Sequence, residues 1–77
     1  MDIKILGRGC AKCQTLERIT HDAVDQLGLT AEFEKVTDAG EIHCWGVMAT
    51  PALVIDDEVV LSGRVPTIDD VKRLLAR

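Results

Sequence analysis

Cysteines stand at positions 10, 13 and 44, the first two spaced as Cys10-Ala11-Lys12-Cys13. Two thiols with two residues between them can cycle between dithiol and disulfide, hold a soft metal ion, or pack as small inert hydrophobes. Three cysteines are few, and odd in number, for a disulfide-stapled secreted domain of 77 residues. The count points instead to a reducing compartment, the cytoplasm, where thiols are kept for chemistry. Their position in the chain decides which chemistry.

Asp2 to Leu6 alternates and is rich in Ile and Leu, which predicts a strand; Gly7-Arg8-Gly9 breaks it. From about Ala11 the period becomes helical, with Leu16, Ile19, Ala23, Val24 and Leu27 on one face and Gly28 as the stop. The Cys pair therefore opens a helix. Unpaired N–H groups and the positive end of the helix dipole stabilise a thiolate there. Lys12 is expected to lower the thiol pKa further, with Arg8 nearby adding positive charge. Cys10 is then the exposed nucleophile. Cys13, one turn inside, is the more buried resolving thiol, shielded by Leu6 and Leu16, with no acid near it in sequence.

The remaining elements must position this pair. Ala31 to Val36 alternates as a second strand, and Thr37 is expected to cap a short helix over 38–43, weakened by Gly40. Pro51 marks a turn. Leu53-Val54-Ile55 and Val59-Val60-Leu61 predict a hairpin across Asp56-Asp57-Glu58, without the glycine of the strongest tight turns. Thr67-Ile68-Asp69-Asp70 reads as a capping box with a shortened acid, ahead of a helix burying Val71, Leu74 and Leu75. The order β-α-β-α-β-β-α predicts one domain over residues 1–77. Its architecture is α/β: a four-stranded mixed sheet with helices on both faces.

Bulk properties exclude other classes. At 47% hydrophobic and 29% charged the chain is globular, not disordered. The net charge of −4 and only two large aromatics disfavour nucleic-acid binding. Apolar runs such as Ala52-Leu53-Val54-Ile55 are far too short for a membrane span, and Met1 to Ile5 does not read as a signal peptide.

With G-x-G-C-x-x-C at 7–13, T-P-x-L-V-I-D at 50–56 and this order of elements, the whole chain resembles the thioredoxin fold. It is most similar to the small archaeal and bacterial redox-active disulfide proteins, also called glutaredoxin-like. The resemblance implies a protein-disulfide reductase that carries electrons on a Cys10–Cys13 disulfide and needs no other cofactor. It implies that Pro51 follows a cis bond, that Thr50 and Pro51 present backbone to an extended substrate, and that Gly63 lets a partner's chain come close. It also implies protein disulfides as substrates and a flavin-dependent thioredoxin-type reductase, or glutathione, as electron source, with the chain acting as a monomer. The chain departs from the pattern in three places: the dipeptide is Ala11-Lys12, Gly9 replaces a tryptophan, and Lys4 stands where thioredoxins often place a buried acid.

The alternative is a soft-metal module using the Cys10 and Cys13 thiolates, which such domains usually build on β-α-β-β-α-β. A wider metal site would add His43 and Cys44, but adjacent residues point in different directions. Cys44 is expected to be half-buried, His21 to be solvated, and Trp45 and Met48 to form either core or an apolar rim for partners.

Overall fold

Strand β1 (Asp2–Leu6) takes the N-terminal alternation and becomes an inner strand of the sheet. In the computed structural model, which describes residues 1–9 and 11–76, it is followed by α1 (Ala11–Leu27), β2 (Glu32–Val36) and α2 (Ala39–Cys44), then by β3 (Ala52–Ile55), β4 (Glu58–Ser62) and α3 (Ile68–Leu75). Cys10, on which the nucleophile assignment falls, and Arg77 lie outside the described residues.

The sheet order is β2-β1-β3-β4. β1 pairs parallel with β2 and antiparallel with β3, and β3 pairs antiparallel with β4, giving the mixed sheet expected. Alternation along the strands builds two apolar layers. Ile3, Ile5, Leu53 and Ile55 meet Leu16, Ala23 and Val24 of α1 and Val71 and Leu75 of α3 on one face. Leu6, Ala52 and Val54 meet Ile42 of α2 and Val47 on the other. All four residues of β3 are buried, as a strand covered on both faces must be.

Four local details differ from the sequence reading. Asp38, not Thr37, caps α2: its carboxylate accepts the Glu41 N–H at 3.0 Å. An Asp side chain satisfies an orphan donor of the first turn as well as Thr does. The hairpin turn is two residues, with Glu58 already in β4. Asp56 and Asp57 hold φ of 48° and 66°, the left-handed region a tight hairpin needs. Asp56 is secured there because its carboxylate accepts the Asp2 N–H at 2.9 Å while its own N–H donates to the Asp2 carbonyl at 2.8 Å. Leu27 is 37% exposed although it continues the apolar stripe of α1. A 17-residue helix spans about 25 Å and overruns five-residue strands of about 17 Å. Thr20 takes a core place instead, its hydroxyl donating to the Leu16 carbonyl at 2.7 Å.

Candidate functional site

The end of β1, the start of α1 and the start of β3 converge because Leu6 is registered against Ala52. Gly7 and Pro51, one residue beyond each of that pair, are both buried. Cys13 lies in the first turn of α1 on its inward face and is 5% exposed. The burial expected of the resolving thiol is present, but its cover is not quite the set expected. Leu16 lies in the layer beneath α1, whereas Leu6 points into the layer on the opposite face of the sheet. The cover missed in sequence is Gly7. A Cβ on Gly7 would collide with the Cys13 sulfur and would lie 4.0 Å from the Pro51 Cα. Only a hydrogen fits there, which is the signal a glycine directly after a strand can carry.

The Thr50–Pro51 bond is cis, as expected; Thr50 is exposed and Pro51 fully buried. Gly63 joins this loop directly. Its N–H donates to the Pro51 carbonyl at 2.9 Å, its φ is +77°, and a Cβ there would lie 3.1 Å from that of Ala49. Lys12 and Arg8 are both exposed on the same end of the molecule. An open groove of about 300 Å³ runs past Arg8, Ile42, His43, Val47, Met48 and Thr50. Met48 is 91% exposed beside it, while Trp45 is half-buried against the α2 layer, with the Lys4 ammonium 5.8 Å from its ring. Of the two rim residues, only Met48 is open to a partner.

Cys44 is exposed, not half-buried, because it ends α2 on the solvent side. His21 is exposed but not merely solvated: its ring stacks on Phe33 at 3.7 Å. On the far side of Cys13 a cavity of about 70 Å³ is lined by Gly7, Cys13, Glu17, Lys35 and Thr37 among others. The Lys35 ammonium lies 3.0 Å from the Glu17 carboxylate, so an acid does stand near Cys13. The sequence signal for it was the spacing of four residues on one helix.

Residues 1–76 match the thioredoxin domain family. The chain belongs to that family. A thioredoxin of Methanothermobacter thermautotrophicus is 42% identical over 76 residues, covering 99% of both chains. A thioredoxin of Methanocaldococcus jannaschii is 45% identical over 74 residues, covering 95% of this chain and 84% of the relative. The general activity of this thioredoxin-like protein is thiol–disulfide oxidoreduction. The soft-metal alternative gains no support. Both relatives are named thioredoxins, and nothing in their names points to a metal. No helix of the described residues is long and apolar enough to cross a membrane.

Proposed function

We propose that this thioredoxin-family chain reduces protein disulfides through Cys10 as nucleophile and Cys13 as resolving thiol. The observation that carries the reading is the burial of Cys13 in the first turn of α1, under Gly7 and beside the Pro51 loop. A sulfur so placed is kept from outside disulfides, while only two residues separate it in sequence from Cys10.

The Cys10 thiolate attacks a substrate disulfide, forming a mixed disulfide and releasing one substrate thiolate. Cys13 then attacks Cys10, the second substrate thiol leaves, and the chain is left with a Cys10–Cys13 disulfide. No resident cofactor is needed, because the pair itself carries the two electrons. Lys12 and Arg8 favour the Cys10 thiolate by their charge. Thr50, exposed beside the groove, offers its backbone to an extended substrate segment, while Pro51 and Gly63 keep that edge low enough for it to dock. A flavin-dependent thioredoxin-type reductase returns the electrons, and the chain works as a monomer in the cytoplasm.

The test is insulin reduction, driven in parallel by a thioredoxin-type reductase and by glutathione. Cys10→Ser abolishes turnover with either, whereas Cys44→Ser keeps most of it. Cys13→Ser accumulates mixed disulfides through Cys10, read by mass mapping. Turnover near the parent level in Cys10→Ser sinks the proposal, and glutathione alone sufficing overturns the assigned reductant.

A further inference from the structure

Resolution requires a thiol that is 5% exposed to give up its proton. Neither charged residue of β1 offers a route, since Asp2 lies at the far, exposed end of the strand. Lys4 faces the α2 side, beside Trp45 and 3.7 and 3.9 Å from the Glu34 and Asp57 carboxylates. The α1 face offers one. Glu17 lies four residues after Cys13, on the same face of α1 one turn above it. The two line one cavity of about 70 Å³, enough for bridging water, together with Lys35 of β2. Lys35 sits there because its strand partner is Ile5, which points to the α1 layer. Its ammonium holds the Glu17 carboxylate at 3.0 Å, and the His21 imidazole stands 3.9 Å away on the outer side. The Glu17 side chain is 27% exposed, so it touches both the cavity and solvent. Glu17, Lys35 and His21 are the titratable groups on this side, and α3 lines no part of the cavity among the described residues.

We propose that Glu17, oriented by Lys35, is the proton acceptor for Cys13 during resolution; this rests on Cys13 being the resolving thiol. The Cys13 proton passes through cavity water to the Glu17 carboxylate as the Cys13 sulfur bonds to the Cys10 sulfur. The bond between Cys10 and the substrate sulfur breaks. The substrate leaves as a thiolate that takes a proton from solvent, and Glu17 returns its own proton to water past His21. The chain loses two electrons and the substrate disulfide gains them.

The test follows the mixed disulfide formed from reduced chain and glutathione disulfide, in a Cys44→Ser background, by acid quench and mass spectrometry. In Glu17→Gln the adduct forms at the parental rate but resolves about tenfold or more slowly near pH 7. The difference closes towards pH 9, where hydroxide replaces the carboxylate. Lys35→Met, which frees the carboxylate without removing it, slows resolution less. A second measurement needs no turnover. With Cys10 and Cys44 both changed to Ser, Glu17→Gln speeds iodoacetamide alkylation of Cys13 about threefold near pH 7, because a nearby carboxylate disfavours a thiolate. More thiolate together with slower resolution is a pattern that charge or packing alone does not produce. An unchanged alkylation rate, or a resolution rate equal to the parent's, overturns the proposal. Failure of the parent to resolve any adduct overturns the reductase reading instead, and the alkylation arm still decides whether Glu17 addresses Cys13.

Discussion

A hydrogen atom where other residues carry a methyl group sets how closely the loop after β1 approaches Cys13. Gly7 is buried, and its φ lies outside the left-handed region, so its role is contact and not backbone freedom. Gly7→Ala must push the Cys13 sulfur or the Pro51 loop aside, an overpacking that costs about 1–3 kcal/mol. Urea unfolding reads the loss, and faster alkylation of Cys13 reads the opened cover; an unchanged midpoint would count against the contact. Gly63 differs, since there both a positive φ and the approach to Ala49 exclude a side chain. At this scale the sequence was legible only where a motif carried the residue. Cys13 is buried as its place in the helix predicted and Pro51 lies where the resemblance placed it, but Gly7 read as a strand breaker. Glu17 was not singled out by the sequence, because its neighbours come from β2 and from the loop after β1.

Element boundaries were legible to within a residue or two because hydrophobic period and capping chemistry are local. α3 shows how local. Thr67 accepts the Asp70 N–H at 3.2 Å and its own N–H donates to the Asp70 carboxylate at 3.2 Å, the reciprocal box expected from the four residues alone. The misread cap of α2 and the misjudged length of the hairpin turn arose where two adjacent residues, Thr37 and Asp38 or Asp57 and Glu58, could each serve. Thr67→Ala is expected to cost about 1 kcal/mol by urea unfolding at neutral pH. The Asp70 carboxyl is held below its ordinary value of 3.8, first by the Thr67 backbone N–H, then by the Arg73 side chain and the Thr67 hydroxyl. Because its folded pKa is the lower one, the stabilisation is fully present above 3.8 and is lost as pH falls from there through the folded value. Asp70→Asn therefore separates from the parent in stability near pH 6, and the gap narrows below pH 4 (about the ordinary carboxylate value). A gap that is constant over this range would remove the carboxylate from the account.

For the whole molecule, β3 matters most, since it alone is buried along its full length between two layers. Leu53 is fully buried at its centre, and Leu53→Ala should cost about 2–5 kcal/mol. Against a total of about 5–15 kcal/mol for a domain, and nearer the low end for a small one, that is a large share. The variant should melt well below the parent, and a loss under 1 kcal/mol (about the cost of a surface change) would mean the two layers are not coupled through this strand. The pairing of Leu6 with Ala52 has a further consequence during synthesis. A ribosome delivers the cysteines long before the proline segment, and N-terminal parts fold as they emerge. Until β3 arrives, the nascent chain carries Cys13 without the strand that brings Pro51 against Gly7. For that interval Cys13 sits on an unfinished scaffold, without the cover the completed sheet gives it. The forty-odd residues between β1 and β3 thus set a delay between the appearance of the two cysteines and the arrival of the strand that completes the cover of Cys13.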